Sequence, residues 1–266
     1  MANNNEFTQT FTLTFGDVAE NHKGMQMIGN KSNEGFTYSD LKQIKSWFKN
    51  KYPDAKIKII KLHNYLPENI RDENKAYVLI IKNGVNMLLD DNTMADNLYN
   101  EQDILPKDKK AFMYGRVVNK HARHNLCFSE TSQEPNYEEG RGTIISFDNV
   151  PITKRIREKL GTILDSAKDL QLEGNYYYDV ENCGIGMHGD TERSKVIGIR
   201  LGATIPLVYC WFHNNNNITP IINNNKLKLE HGDIYIMSEK ATGNDWKKKT
   251  KYTLRHAAGA KKYITL

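Results

Sequence analysis

The fold of this chain is decided by two adjacent segments, KVIGIRLG at residues 195–202 and IPLVYCWF at residues 205–212. Both are rich in β-branched and aromatic residues, which suit the pleated and half-buried backbone of a sheet. No convincing helical pattern interrupts this half of the chain. These segments therefore predict two strands within a region built mainly from short strands.

Further strands are predicted on both sides of this pair. Residues 175–178 are aromatic and β-prone, and the segments at 226–229 and 234–237 follow an Asn-rich loop, with His231-Gly232-Asp233 as the turn between them. Short strands separated by Gly and Asn turns are typical of an antiparallel double-sheet jelly roll. We predict an α+β, mainly β fold with a double-stranded β-helix (jelly roll) core and an N-terminal α+β extension.

The N-terminal region, residues 1–90, is predicted to form a small α+β unit in front of a jelly-roll domain at 91–266. Its predicted strands are 7–15, 56–62 and 76–82. Residues 37–48 place Leu41, Ile44, Trp47 and Phe48 at helical spacing. We expect this unit to be either a substrate-recognition module or a packing buttress.

One N-terminal segment, residues 14–26, carries varied polar side chains between two glycines, which suggests a functional loop. Asp17, Glu20 and His22 in this loop resemble the ligands of a second metal site. No further cluster of ligands completes such a site, so we discount it.

A His-x-Asp pair, His188-Gly189-Asp190, precedes the two strands, and His256 lies far downstream. Two neutral imidazoles and one carboxylate suit Fe(II) and leave one face of the ion open for a co-substrate and oxygen. His188 and Asp190 are two residues apart, so their side chains share a face at a strand or its end. A tripeptide of this kind also arises by chance, but the surrounding strands and the distal histidine favour an oxygenase.

The C-terminal half, roughly residues 149–266, resembles the AlkB branch of the 2-oxoglutarate and Fe(II)-dependent dioxygenases. The matching elements occur in the family's order: a helix at 156–160, Asn175-x-Tyr177, His188-Gly189-Asp190 with Glu192, Arg200-Leu201-Gly202, the segment 229–237 and His256. The resemblance implies that Fe(II) is the metal and 2-oxoglutarate the co-substrate.

By this resemblance, His188, Asp190 and His256 are both the metal ligands and the catalytic residues. His231 is the main rival for the distal ligand. We reject it because a His-Gly-Asp before an apolar strand matches the family's turn, whereas His256 follows that strand.

The resemblance also implies that Asn175 and Tyr177 hydrogen-bond 2-oxoglutarate. The interval from the Asn-x-Tyr segment to His188 is a residue or two longer than in the family's usual pattern. Tyr178 is therefore an alternative to Tyr177.

The chain departs from the family at the cation that anchors the distal carboxylate of 2-oxoglutarate, because no Arg follows His256. A hairpin turning at Gly259-Ala260 would place Lys261 or Lys262 beside His256, depending on the length of the turn. We favour Lys262, which matches the family's Arg-Tyr position, although Lys cannot hold a carboxylate bidentately. Arg200 on the strand after His-x-Asp is the third candidate.

The chemistry implied by the resemblance is the oxidation of a C–H bond, driven by decarboxylation of 2-oxoglutarate to succinate with O2 as the oxidant. Ascorbate can support such activity. A methyl group on nitrogen would leave as formaldehyde after hydroxylation, whereas a methyl group on carbon would stay hydroxylated.

A nucleic-acid substrate is indicated by the distribution of basic residues more than by their number. The chain has 37 Lys and Arg against 32 Asp and Glu, a net charge of +5, and such a mild excess is common in other proteins. A basic segment at 107–128 resembles in position the lid that AlkB-type enzymes close over the target nucleotide. The predicted substrate-binding residues are Tyr114, Arg116, Lys120, Arg123, His124 and Glu192. A basic edge strand is the alternative interpretation.

Two aromatic residues are candidates for stacking on a base in that lid, Tyr114 and Phe128. A second basic loop joins Trp246 with Lys247, Lys248, Lys249 and Lys251 and is a plausible second clamp on the substrate. A solvated loop is the alternative interpretation of this run.

We therefore expect an AlkB-like oxidative demethylase or base hydroxylase acting on DNA or RNA, as in DNA repair or RNA modification. A protein or small-molecule hydroxylase could use the same iron site. A non-catalytic nucleic-acid-binding protein is the alternative from a different class, and the presence of all three metal ligands argues against it.

Cysteine usage and hydropathy indicate the compartment. The three cysteines, Cys127, Cys183 and Cys210, are too few and too scattered for a disulfide framework. No signal pattern and no stretch of eighteen apolar residues is present. We expect an intracellular protein of a reducing compartment, cytoplasm or nucleus, with no membrane partner and with a monomer favoured.

Overall fold

The computed structural model of the chain describes residues 7–223 and 227–266. Its strands are β1 Thr10–Gly16, β2 Val18–Glu20, β3 Met27–Gly29, β4 Ile57–Lys61, β5 Tyr77–Ile81, β6 Lys110–Met113, β7 Arg116–Asn119, β8 His124–Ser129, β9 Ile144–Ser146, β10 Gln171–Tyr177, β11 Gly184–His188, β12 Val196–Gly202, β13 Leu207–His213, β14 Asn216–Asn217, β15 Asp233–Met237 and β16 Thr253–Gly259. Its helices are α1 Tyr38–Lys51, α2 Glu68–Arg71, α3 Gly84–Leu89, α4 Met94–Asp103, α5 Pro151–Ile163, α6 Glu239–Thr242 and α7 Lys261–Ile264. The prediction of an α+β chain with mainly sheet is confirmed.

The larger of the two main sheets has the strand order β4-β5-β15-β12-β1-β10-β8-β9. The N-terminal strand β1 lies inside this sheet, antiparallel to β10 and β12. Its Thr12 is paired with Asn175 on one side and with Arg200 on the other. A strand from the start of the chain thus separates two strands from the C-terminal half.

The sequence of β1, TFTLTFG, alternates between two kinds of side chain, and successive side chains of a strand point to opposite faces. Phe11, Leu13 and Phe15 are almost fully buried in an apolar core shared with helices α1, α3, α4 and α5. The threonines Thr10, Thr12 and Thr14 therefore point to the other face of the sheet. That face looks toward the second main sheet.

The second main sheet is smaller and has the order β11-β16-β13-β14. Tyr209 and Trp211 from β13 and Leu254 from β16 share one buried cluster with Tyr235 and Met237 from β15 of the larger sheet. Contacts of this kind require the two sheets to face each other. The core is therefore double, with helices on the outer face of the large sheet and the small sheet on its inner face.

Three predictions about elements are corrected. Residues 227–229 form no strand, and Lys226 of the predicted segment 226–229 lies outside the described residues. The predicted hairpin at Gly259-Ala260 is absent, because the chain continues from β16 into α7. The predicted boundary near residue 90 does not separate two units, because β1, β4 and β5 are strands of the large sheet.

Removal of the N-terminal region tests this arrangement. Residues 91–266 expressed alone are expected to lack cooperative unfolding, because β10 and β12 would lose the strand between them and the apolar faces of Phe11, Leu13 and Phe15. Urea unfolding followed by circular dichroism, with the full chain as the control, measures this. A cooperative transition in the fragment would contradict the central place of β1.

Within the described residues, no helix has the length and apolar character needed to cross a membrane. Cys127, Cys183 and Cys210 are all buried free thiols.

Candidate metal centre

Three side chains from separate parts of the small sheet converge at one end of the space between the sheets. His188 ends β11 and is paired in register with His256 on β16, and Asp190 follows two residues after His188. One Asp190 oxygen lies 3.5 Å from Nε2 of His188 and 3.6 Å from Nε2 of His256. The ligand atoms of all three lie within 4.8 Å of one another. The structure thus brings together the three residues that the sequence nominated as metal ligands.

Asp190 is held in place through the backbone. Its N–H donates to the carbonyl of Thr242, at the end of α6, over 2.9 Å. The preceding residue must be glycine, since a Cβ on Gly189 would lie 2.0 Å from the carbonyl oxygen of Gly243. The Gly in His-Gly-Asp therefore permits a close approach that positions the carboxylate.

The protonation of the three groups suits a divalent cation. His188 has its Nδ1 2.7 Å from the Gly186 carbonyl, and a hydrogen bond there leaves Nε2 as the free lone pair. Burial and the neighbouring His188 lower the pKa of His256 to about 3, so that imidazole is neutral. Burial raises the pKa of Asp190, but His256, His188 and Arg193 together lower it below its ordinary value, so it stays ionised.

The distances between the three side chains, and their hydrogen-bond partners, also fit a metal site. Separations of 3.5 and 3.6 Å exceed the length of a charge-assisted hydrogen bond, about 2.7–2.9 Å. Nδ1 of His256 is buried and has no hydrogen-bond partner among the described residues. The Asp190 carboxylate and the Nε2 atoms of the two imidazoles are therefore too far apart for strong hydrogen bonds but close enough to bind one metal ion together.

A cavity of about 870 Å³ extends from the triad between the two sheets. The threonines Thr12 and Thr14 of β1 line it, together with Asn175 and Tyr177 of β10 and Arg200 of β12. Because Thr12 is paired with both Asn175 and Arg200, these three side chains form a row across the sheet. The large sheet thus supplies a polar wall to the cavity.

Arg200 is the unusual member of this wall. It is 1% exposed, and within residues 7–223 and 227–266 its side chain donates one hydrogen bond, from Nη1 to the carbonyl of Ile205, 3.1 Å away. Its Nε has no partner, and no carboxylate among residues 7–223 and 227–266 lies within ion-pair distance of it. A buried guanidinium without an anion is unfavourable, so a cavity lined by this group is suited to a ligand carboxylate.

Tyr177 rather than Tyr178 faces the cavity. Tyr177 is buried and lines it, whereas Tyr178 is exposed, stacks on His124 and donates its hydroxyl to the carbonyl of His121. Asn175 also lines the cavity, and its amide accepts from Arg123 and Asn125 and donates to Glu173. One N–H of Asn175 remains for a ligand.

Lys261 and Lys262 do not reach the site. Both lie on α7, are exposed and are absent from the cavity wall. The preference for Lys262 as the anchor is therefore corrected, because the hairpin on which it rested does not form. Arg200 is the predicted anchor that lines the cavity.

The basic segment 107–128 is dispersed by the fold. Tyr114 is 90% exposed at the tip of the β6–β7 hairpin, and Arg116 is exposed beside it, away from the cavity wall. Lys120 is buried and donates to Asn21 and Asn125. Arg123 alone among the basic residues of this segment lines the cavity.

Two further expectations for this segment are corrected. His124 is half-buried against Tyr178 rather than at the cavity, and Phe128 lies in the apolar core, where it cannot stack on a base. Tyr114 is accessible, but the hairpin that carries it lies apart from the cavity. The predicted lid therefore does not cover the metal centre.

Glu192 does line the cavity, as part of an ion-pair network that sequence reasoning missed. Arg193 is fully buried and pairs with Glu173 and with Glu192. Glu20 from the N-terminal loop lies close to both carboxylates. No local sequence pattern marks this network, because Arg193 joins its neighbour Glu192 to Glu173, which lies 20 residues earlier in the chain.

The loop at residues 14–26 contributes to the cavity wall, with Glu20, Asn21 and His22 among its lining residues. It is not a second metal site. The carboxylate of Asp17 accepts hydrogen bonds from the backbone N–H groups of Ser32, Ser194 and Lys195. Among the described residues, His188, Asp190 and His256 form the metal-type cluster that the geometry yields.

His231, the rejected ligand, lies outside the cavity. Its Nδ1 accepts from the backbone N–H of Gly202, and its ring stacks on Phe7. The His-Gly-Asp segment forms a turn before β15, as the sequence predicted.

Glu20 gives the metal-free protein a measurable pH dependence. Burial raises the pKa of Glu20 to about 7, against a hydrogen bond from the Gly24 N–H and with help from the charges of Glu192 and Glu173. The protonated carboxyl group of Glu20 therefore contributes its full stabilisation to the folded state below pH 4.5. This stabilisation is lost as the pH rises through 7.

The Glu20→Gln variant is expected not to lose stability over this pH range. Its free energy of unfolding should exceed that of the wild type by about 1 kcal/mol at pH 8, since a partly exposed carboxyl is screened by solvent, and the difference should fade toward pH 5. Urea unfolding at both pH values in the presence of a chelator measures this. An identical pH dependence in both proteins would contradict the prediction.

The chain is 44% identical over 261 residues to a protein of Acanthamoeba polyphaga mimivirus with the name "Uncharacterized protein R156". The aligned region covers 97% of this chain and 99% of the mimivirus protein. No known family model matches the chain. The similarity therefore extends over almost the whole length of both proteins and is not confined to one half.

Proposed function

This chain belongs to the same family as protein R156 of Acanthamoeba polyphaga mimivirus, and we propose that it is a 2-oxoglutarate- and Fe(II)-dependent dioxygenase. One observation carries the proposal: a His-Asp-His triad lines the same cavity as a buried arginine that has no carboxylate partner in the described part of the chain. The triad suits Fe(II), and the arginine suits the distal carboxylate of a dicarboxylate co-substrate.

We further infer that the two facing sheets form a jelly roll. From β10 onward, the chain crosses between the two sheets, with β10, β12 and β15 in the large sheet and β11, β13, β14 and β16 in the small one, and β13 and β14 form a hairpin within the small sheet. The position between β12 and β10 in the large sheet is occupied by the N-terminal strand β1.

Different residues of the chain would have different roles in the reaction. His188, Asp190 and His256 would hold Fe(II), with Asp190 ionised and His256 neutral. When bound together with 2-oxoglutarate and O2, the metal supplies an oxidant that can attack a C–H bond, with release of succinate and CO2. The protein supplies the ligand geometry and the exclusion of water.

Arg200 would neutralise the distal carboxylate of 2-oxoglutarate. Thr12, its neighbour in the row, has a buried hydroxyl without a partner and can donate to the same ligand. Tyr177 and the free N–H of Asn175 lie on the same wall and would orient it. Because these groups come from rigid strands, the co-substrate would meet a preorganised site.

The proposed substrate is a methylated base of a nucleic acid. The chain has a net charge of +5, and lysines surround the cavity mouth. An N-methyl group that is hydroxylated there would be released as formaldehyde, which leaves the unmethylated base.

Succinate production tests the proposal. Fe(II)-loaded protein is incubated in air with 2-oxoglutarate and ascorbate, with and without methylated single-stranded DNA or RNA, and succinate and formaldehyde are measured. We expect succinate to rise with methylated nucleic acid and formaldehyde to appear in equal amount. Equal succinate without nucleic acid would instead favour a protein or small-molecule hydroxylase, and no succinate under any condition would overturn the dioxygenase.

A further inference from the structure

The mouth of the cavity is formed by two loops that lie far apart in sequence. The first, residues 17–31, contains the β2–β3 hairpin and contributes His22, Lys23, Met27 and Lys31 to the cavity wall. The second, residues 243–251, contributes Trp246 and Lys247. We call these two loops together the mouth loops.

The second mouth loop is packed directly against the metal centre. Trp246 approaches Gly189 so closely that a Cβ there would lie 2.8 Å from Cδ1 of the indole ring. The guanidinium of Arg255 lies over the indole, 5.0 Å from the ring centre, and makes a cation–π contact with it. The Trp246 side chain is thus held at the cavity wall next to His188 and Asp190.

The first mouth loop is tied to the same region. Lys31 donates to the carbonyl of Thr191 over 2.6 Å, and Asp17 accepts from the backbone of Ser194 and Lys195. Met27 is 60% exposed, which is unusual for a large apolar side chain at a cavity. The loop therefore presents an apolar side chain and cations across the cavity from Trp246.

The charged side chains at the rim of the mouth differ in sign from those on the wall just inside it. Lys23, Lys31 and Lys247 are exposed at the rim, and Lys248, Lys249 and Lys251 continue the positive charge along the second loop. The wall just inside carries three carboxyl groups, Glu20, Glu173 and Glu192, of which Glu173 and Glu192 pair with Arg193. The exposed lysines attract phosphates to the rim, whereas the ionised Glu173 inside it does not, so a nucleotide would enter base first.

We propose that the mouth loops bind single-stranded nucleic acid, with Lys23, Lys31 and Lys247 on its phosphates and Trp246 against the base that enters the cavity. This inference rests on the proposed function for the choice of substrate, but the binding itself requires no metal. A single strand is favoured because its bases are already free to leave the stack, whereas a duplex must first be unpaired. The β6–β7 hairpin, the basic surface suggested by the sequence, has no part in this binding.

The test compares two basic surfaces of matched charge. The mouth variant carries Lys23→Glu, Lys31→Glu and Lys247→Glu. The control variant carries Lys109→Glu, Lys110→Glu and Arg116→Glu at the exposed β6–β7 hairpin. Binding of a fluorescein-labelled oligothymidylate of about twelve nucleotides is followed by anisotropy in the presence of a chelator, over a range of salt concentrations.

The mouth variant is expected to bind at least about tenfold more weakly, and its log–log salt slope should flatten by about 2, as three lost phosphate contacts predict. The control variant should stay within about twofold of the wild type, and Trp246→Ala should weaken binding without changing the slope. A mouth variant that binds like the wild type, or a control variant that binds more weakly, would overturn the inference. Equal affinity for a duplex of the same length would overturn the choice of a single strand.

The two proposals fail separately. A wild type that binds the strand through the mouth loops but makes no succinate would leave this inference standing and overturn the dioxygenase. A wild type that makes succinate, while its strand binding is insensitive to the mouth substitutions, would overturn this inference alone.

Discussion

Asp190→Ala is expected to abolish both Fe(II) binding and succinate production. The Asp190 carboxylate lies between the two histidines and is the only group in the triad that contributes a negative charge. Loss of a hydrogen-bond partner of a metal ligand alone typically costs about 10- to 100-fold in affinity, so loss of the ligand itself should cost at least about 100-fold. His188→Ala should behave in the same way.

Iron content after loading and dialysis measures the metal, and succinate measures turnover. Circular dichroism should show an intact fold in both variants, because the triad lies at one end of the core and not within its apolar clusters. His231→Ala is the matched control, since this histidine lies outside the cavity. Normal iron content in Asp190→Ala, or loss of iron in His231→Ala, would refute the assignment of the metal centre.

Arg200→Met is expected to raise the 2-oxoglutarate requirement by about 100- to 4,000-fold, because a lost buried charge pair costs about 3–5 kcal/mol. The thermal stability of the Arg200→Met variant, in contrast, should not fall. Arg200 is buried and no carboxylate pairs with it among the residues that the structure describes, so an apolar side chain of similar length should leave the melting temperature unchanged or higher. A loss of function without a loss of stability would distinguish a ligand-binding role from a structural one.

The KM for 2-oxoglutarate and the thermal melting temperature are the two measurements. Lys262→Met makes the same kind of change at the exposed position that the sequence favoured, and neither quantity should change. An unchanged KM in Arg200→Met would show that another group holds the co-substrate. A raised KM in Lys262→Met would restore the anchor expected from the sequence.

Local patterns were sufficient for several strands and for the nomination of the metal ligands. β12, β13 and β15 lie within one or two residues of their predicted positions, because β-branched and aromatic runs bounded by turns depend on neighbouring residues alone. The pairing of His188 with His256 was not predicted, because it joins two strands that are far apart in the sequence. The helix α1 was likewise predicted, and Thr37 with Asp40 forms its capping box.

The co-substrate wall could not be predicted in this way. Thr12 and Arg200 are neighbours only because β1 enters the sheet between β10 and β12, and no spacing along the chain records that pairing. The alternation of Thr with Phe and Leu in β1 was visible, and it indicated two different faces. What the polar face would contact depended on a strand about 190 residues away.

The basic segments likewise separate what the sequence could predict from what depends on the tertiary structure. Charge density at 107–128 was evident from the sequence, yet the fold places Tyr114 and Arg116 on a separate hairpin and buries Lys120. The mouth loops have no shared motif, and they meet because each is tied to the segment around His188 and Asp190. The sequence by itself determined the mainly β architecture and nominated the metal ligands, since these depend on periodicity and residue chemistry over a few positions. Only the tertiary structure decided which cation faces the cavity and which loops surround it, because those contacts join residues that the chain keeps far apart.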